Sequence, residues 1–314
     1  MGKRTLGIHH ITAIVGDPQE NVDFYAGVLG LRLVKKTINF DDPGTYHLYF
    51  GDDGGNPGTI MTFFPWPGAH QGRIGAGQVG TTAFAVPNGS MSFWEERLET
   101  FGVSYRVEER FGERSVTFTD THGLQLALVE RYEGKASEWS FNGVSPAEAI
   151  KGFAGAVLLT SQPEKTSELL EETMGFERVG EEGGYVRFRS KADIGNTVDV
   201  WQQAVARGAL GVGTVHHIAY RANDDDDQLD WKQHVESAGY HVTPVQPRQY
   251  FNAIYFREHG EILFEIATDP PGFAHDESYE TMGEALKLPD WYEPQRAKIE
   301  QILQPATVRE IEKL

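Results

Sequence analysis

Cysteine is missing from all 314 residues. Its absence excludes disulfides, thiolate metal ligands and a cysteine nucleophile together, so any metal site must use nitrogen and oxygen. Long apolar runs are missing too: no stretch approaches the ~18 consecutive apolar residues of a membrane-spanning helix. No signal-peptide succession of basic, apolar and small residues opens at Met1, and a cytoplasmic protein without a membrane partner is expected. Basic residues are scarce. With 28 Lys and Arg against 46 Asp and Glu the formal net charge is -18, the wrong sign for nucleic acid, whose phosphates need a basic face. What is present is ordinary for a globular chain, 39% hydrophobic and 24% charged residues, in a length that holds two domains or one large one.

Two stretches echo each other. "GIHHITAIV" near the start and "TVHHIAYRA" much later are short apolar runs with paired histidines, His9–His10 and His216–His217. They belong to a fourfold plan of strand, amphipathic helix and further strands. The first unit, 1–77, has a helix over "PQENVDFYAGVLG", with Asp17 as N-cap and Pro18 at the first helical position. The second, 78–130, carries "SMSFWEERLETFG", where Phe93, Leu98 and Phe101 recur at helical spacing and Gly102 ends the helix. The third unit covers 151–203 and the fourth 214–268. Polar connectors at 131–150 and 204–213 separate them, and a tail with one helix fills 269–314.

Several motifs carry less than their letters suggest. "GAGQVG" (Gly75, Gly77, Gly80) matches a dinucleotide fingerprint, but a strand follows it where a helix is required. Asp224–Asp227 lacks calcium-loop spacing and reads as a solvated loop or helix start. "AHDE" (His275, Asp276, Glu277) reads as a solvated turn in a tail that could cover a site. His47, His70, His122, His234, His241 and His259 are isolated, with surface or packing roles expected.

Strand–helix–strand–strand–strand repeated four times over residues 7 to 268 resembles the vicinal oxygen chelate superfamily of glyoxalases and extradiol dioxygenases. The resemblance implies an α+β fold of four βαβββ modules forming two cup-shaped half-barrel sheets, one holding a divalent metal. Neighbouring strand residues point to opposite faces, so one histidine of each pair faces the cup and the other lies behind or beside it. The superfamily register selects the second members, His10 and His217. On the last strands, counting five residues from a shared glycine reaches Glu265 from Gly260, Phe63 from Gly58, Leu128 from Gly123 and Val200 from Gly195. Only the fourth unit then offers a carboxylate. Units one and four are expected to build the metal cup and units two and three a cup without ligands. Phe63 would stand where a fourth ligand could have been, as part of an apolar wall. A carboxylate in the apolar strand "ILFEIA" needs a cation or strong donors, a metal or else an arginine such as Arg257.

Two imidazoles and one carboxylate with open positions match the facial triad of non-haem Fe(II) oxygenases. The stretches "HHIT", "DPGTYHLYFG" and "RQYFNAIYFREHGEILFEIATDPPGFAHDE" are similar to hydroquinone-type ring-cleaving dioxygenases, nearly end to end. That resemblance implies His10, His217 and Glu265 as ligands of Fe2+, with Mn2+ the alternative. It further implies that His9, Thr12, His216, Arg248 and Tyr255 surround the substrate. Expected partners are O2 and a small hydroquinone-class or catechol-class aromatic, with no nucleic acid, and a homo-oligomer is possible. Two other functions fit less well: a glyoxalase-type lyase or isomerase, and a non-catalytic aromatic-binding protein.

Overall fold

The computed structural model describes residues 2–314. In the first quarter, β1 (Ile8–Val15) leads into α1 (Pro18–Val22), a wider helical turn over Asp23–Val28, then β2 (Arg32–Asn39), β3 (Asp42–Gly51) and β4 (Ile60–Pro65). The second has β5 (Gln78–Pro87), α2 (Met91–Thr100), β6 (Tyr105–Arg110), β7 (Glu113–Thr119) and β8 (Gln125–Arg131). The third has β9 (Gly152–Leu159), α3 (Pro163–Glu168), β10 (Glu177–Glu182), β11 (Tyr185–Arg189) and β12 (Thr197–Trp201). The fourth has β13 (Thr214–Ala222), α4 (Asp225–Ser237), β14 (Gln246–Pro247), β15 (Asn252–Arg257) and β16 (Leu263–Thr268), and α5 (Arg296–Ile302) lies in the tail.

Local chemistry accounts for the helix starts. The Asp17 carboxylate accepts from the N–H groups of Gln19 and Glu20, with Pro18 in the first turn, where its missing donor costs nothing. Asp224 caps α4 in the same way through Asp227, so the acidic run is a helix start. The buried face of α2 is Met91, Trp94 and Leu98. Phe93, expected inward, is only partly buried beside it. "GAGQVG" leads into β5, a strand, as its context required.

The strands form two eight-stranded sheets, in the orders β14-β15-β16-β13-β1-β4-β3-β2 and β10-β11-β12-β9-β5-β8-β7-β6. The first and last quarters of the chain share one sheet and the middle quarters share the other. Within each, two first strands pair antiparallel at the centre (β1 with β13, β5 with β9), and each runs parallel to its own last strand. A single apolar cluster joins the two sheets, with Ile8, Phe50 and Phe264 from one and Phe84, Leu128 and Val198 from the other.

This register corrects the glycine count. Just before each last strand a residue takes a left-handed backbone: Gly58 (φ 94), Gly123 (φ 93), Gly195 (φ 61) and, in the fourth, Glu261 (φ 78). Glu261, not Gly260, stands where the other units have glycine. Four residues on from each lie Thr62, Ala127, Asp199 and Glu265. The ladders agree: Thr12 pairs with Thr62, Ala83 with Ala127, Val157 with Asp199 and Ala219 with Glu265. Phe63 therefore points away from the cup and packs on Tyr25, ring centroids 4.3 Å apart. The third unit does carry a carboxylate at the matching place, Asp199.

Candidate metal centre

The paired histidines sit on bulges. Between Ile8 and His10, and again between Thr12 and Ala13, the β1–β13 register shifts by a residue. The first shift falls at His9 and the second opposite His216. A bulge lets two consecutive side chains face the same side of a sheet. Ile8 and Ile11 stay in the core while His9 and His10 lie side by side, Nδ1 to Nδ1 at 2.9 Å. On β13, His216 and His217 repeat this with Nδ1 atoms 2.8 Å apart. The first member of each pair thus lies beside the second, one of the two places open to it in the sequence.

The other ring nitrogens converge. His10 Nε2 lies 3.2 Å from His217 Nε2, and Glu265 Oε2 lies 2.9 Å from His217 Nε2 and 3.4 Å from His10 Nε2. Neighbouring donors around an ion with ~2.1 Å bonds are about 3.0–3.4 Å apart, so this triangle has the right size for one cation. His10 is 1%, His217 5% and Glu265 0% exposed. Neither Glu265 oxygen has a hydrogen-bond partner among the described residues. Arg257, the other cation considered for Glu265, is exposed and donates to the Glu261 carbonyl instead. Buried carboxylate oxygens without donors are costly unless a cation meets them, so the residues fit a metal ion.

Electrostatics favour that fit. Burial pushes His217 below its ordinary value, with Glu265 opposing only in part. His9 is held well below by burial and then by His10, and His216 falls to about 3 through burial and then His217. These rings are neutral, as ligands and their supports must be. Burial alone would raise Glu265, but the facing imidazoles of His10 and His217 hold it well below the usual range, as the anion. If His10 Nε2 points its lone pair at a cation, its proton sits on Nδ1 and is donated to His9. The His9–His10 and His216–His217 contacts then fix both tautomers and ring orientations.

The remaining expected residues line the same cup. Thr12 is fully buried, its hydroxyl 2.8 Å from that of Thr62. Tyr255 lies edge-on to His217 at 5.8 Å between centroids, and the Arg248 Nε donates to its hydroxyl at 3.3 Å. Arg248 is held by Asp41 and Gln246 as well. Two further residues escaped the sequence reading. His47, expected to be isolated, is 2.8 Å from the Thr62 hydroxyl through Nε2 and from the Tyr49 hydroxyl through Nδ1. The signal was the spacing in "YHLYFG": residues two apart on a strand share a face, so His47 and Tyr49 both reach the cup.

Aromatic rings close the site. Phe251 packs on His10 at 4.9 Å, and Tyr49, Tyr250 and Phe273 form a small cluster beside it. Phe273 comes from the tail, and within "AHDE" Ala274 and His275 are exposed as expected while Asp276 and Glu277 turn inward. Lys35, with a side chain 0% exposed, is clamped by Asp276 and Glu277, each at 2.5 Å. Asp276 also accepts from the Tyr250 hydroxyl at 2.9 Å. The tail is thereby latched across the cup.

A profile of the Glyoxalase/Bleomycin resistance protein/Dioxygenase superfamily matches residues 7–131 and 152–274. The chain belongs to this superfamily. It is 67% identical to the protein named "Putative ring-cleaving dioxygenase MhqO" of Bacillus subtilis (strain 168), over 99% of this chain and 100% of that one. It is 34% identical to the "Chlorohydroquinone/hydroquinone 1,2-dioxygenase" of Sphingobium indicum, over 91% of this chain and 92% of that one. The crystal structure of a "putative dioxygenase" from Bacillus subtilis, 67% identical, superposes with a TM-score of 0.98 over 99% of this chain and 100% of its own. Two curled sheets of eight strands are the superfamily fold. The superfamily is metal-dependent, and His10, His217 and Glu265 are the one group of His, Cys, Asp or Glu donors within 4.8 Å of one another among the described residues. No helix among them is long and apolar enough to cross a membrane.

Proposed function

We propose that the chain is an Fe(II)-dependent dioxygenase that cleaves hydroquinone-like or catechol-like rings with O2, its ion held by His10, His217 and Glu265. The observation that carries this reading is the buried donor triangle, with edges of 2.9, 3.2 and 3.4 Å and a carboxylate lacking any other partner. Relatives named for ring cleavage and for hydroquinone 1,2-dioxygenation support the substrate class.

A ferrous ion in such a set supplies Lewis acidity toward a phenol oxygen and a reduced centre for O2. The chain's residues supply the rest. One carboxylate beside a dication leaves a net positive charge that suits a phenolate. Phe251, Tyr49 and Tyr250 offer an apolar wall that excludes water from the ring. Burial, then the Glu265 carboxylate, push Tyr255 well above its ordinary value, over the opposing pull of Arg248. Its phenol stays protonated and can donate a hydrogen bond at the hydroxyl. Arg248 brings a fixed positive charge beside it. A hydrogen-bonded chain from Thr12 through Thr62 and His47 fixes the Tyr49 hydroxyl, and His9 and His216 keep the ligating rings in place.

The reading is tested by loading the chain with Fe(II) without air, adding hydroquinones and catechols, and following oxygen uptake with product mass. Uptake with a gain of both oxygen atoms is expected. An iron-loaded chain that consumes no oxygen with either class overturns it.

A further inference from the structure

The second sheet curves around a cavity of about 480 Å³, the size of a small-molecule site. It occupies the place that the metal centre takes in the first sheet. Register matches the two cups strand for strand. Thr81 stands where His10 does, Gly155 where His217 does, and Ala83 and Ala127 where Thr12 and Thr62 do. Asp199 keeps the position of Glu265, and Arg187 pairs with it on the neighbouring strand as Tyr255 pairs with Glu265.

Where the first cup gives its carboxylate two imidazoles, this one gives it guanidiniums. Arg187 grips Asp199 through two hydrogen bonds, Nε to Oδ1 at 2.7 Å and Nη2 to Oδ2 at 2.9 Å. Arg110 approaches Asp199 Oδ2 at 3.5 Å while stacking on Tyr185 at 3.9 Å. Arg131 and Arg187 both reach Glu113, with Arg189 3.5 Å from it. Four guanidiniums thus converge on two carboxylates, Glu113 and Asp199. Glu108, 4.0 Å from Arg110, is 47% exposed and offsets little. The imbalance leaves donors unmet: Arg110 Nη1 and Arg189 Nε are buried without a hydrogen-bond partner among the described residues. Burial, then the neighbouring Arg187 and Arg189, bring Arg131 down to about 10. The chain as a whole carries a net charge of -18, so this basic hollow is a local exception. Its floor is small and hydroxylated, with Thr81, Ser115 and Thr117 leaving open the space that His10, His47 and Tyr49 fill in the first cup.

We propose that the second cup is a binding site for a small hydroxylated organic carboxylate, whose carboxylate pairs with Arg110 and Arg131 and whose hydroxyl body rests on Thr81, Ser115 and Thr117. A carboxylate there supplies the anion that the arginine cluster lacks, and accepts the hydrogen bonds that Arg110 withholds. The site needs no metal and is distinct from the His10–His217–Glu265 centre.

The test is calorimetric titration of the full metal-loaded chain with 4-hydroxybenzoate and, as a neutral counterpart, 4-hydroxybenzyl alcohol. Saturable binding of the acid, at least ~10-fold tighter than the alcohol, is expected. Arg110→Gln removes the guanidinium whose Nη1 lacks a hydrogen bond, and Ala127→Phe fills the floor without touching charge. Each should weaken the acid at least ~10-fold, whereas Glu265→Ala, titrated beside the parent with both metal-free, should leave its affinity unchanged. Arg110 lies at the end of an edge hairpin, so its variant remains informative if the Ala127 variant fails to fold. The proposal is overturned by no saturable binding up to ~10 mM, by an alcohol that binds as well as the acid, or by binding lost with Glu265→Ala and kept with Arg110→Gln.

Discussion

A carboxylate without solvent contact or hydrogen-bond donors is a demand for a cation, and Glu265 is one such group. Its two imidazole neighbours aim their Nε2 atoms at the same point, so one ion satisfies all three. Removing either a ring or the carboxylate breaks the triangle. Glu265→Ala and His217→Ala are each expected to lose retained metal after gel filtration, by elemental analysis. His9→Ala leaves the triangle but frees the His10 ring, and a ~10–100-fold drop in metal affinity is expected. Affinity equal to the parent's would show that His9 orients nothing. The imidazoles also set the acid limit of the metal-free chain. Burial, the largest cause, and nearby His10 hold His9 and His47 well below the ordinary value of 6.5. Below that pH an unfolded chain takes up protons that the folded one refuses. Stability is therefore complete above 6.5 and falls as pH drops through it, by up to ~1.4 kcal/mol per pH unit for each ring. Melting temperatures of the apoprotein across pH 8 to 5 check this, and a flat profile would contradict it.

At the scale of elements, two local departures from regular strand geometry decide the site. The bulges at His9 and His216 turn an alternating strand into one that shows both histidines to the cup. No pattern in "GIHHITAIV" reveals this, because hydrophobic alternation reads the same with or without an inserted residue. Glu261 at φ 78 is the second departure. A sequence count anchors on glycine because glycine usually takes left-handed positions. Here a glutamate does, and the neighbouring Gly260 gave an offset that held for Glu265 and slipped for the other three units. Glu265 was legible because a carboxylate in "ILFEIA" stands out whatever the count. Thr62 was not, being unremarkable in its own strand, whereas Asp199 stands out in "TVDVW" as Glu265 does and was hidden only by a count that lands on Val200. The tail is a third element: that it could cover the cup was legible, but its latch was not, because Lys35 and the Asp276–Glu277 pair are far apart in the chain and meet only in the fold. Lys35→Met should strand two acids beside the cup, cost about 3–5 kcal/mol and expose the tail to protease near residue 276. Unchanged stability and an uncut tail would remove the latch from the account.

Across the whole molecule, the repeat was the most legible feature, and pairing of the outer quarters follows from where their strands meet. Its energetic consequence is less visible. One apolar cluster runs through both sheets, and Arg97 on α2 donates to the carbonyls of Gly27 and Val28 at 2.7 and 2.6 Å, tying the second quarter to the first. The sheets should therefore unfold together. A single calorimetric transition is expected for the metal-free chain, and two resolved transitions would show independent halves. Diffraction at the iron absorption edge reports on the donor triangle directly. Crystals of the Fe(II)-loaded chain should show one anomalous peak ~2.1 Å from His10 Nε2, His217 Nε2 and Glu265 Oε2. A peak elsewhere, or none between these three atoms in an iron-saturated crystal, would contradict it.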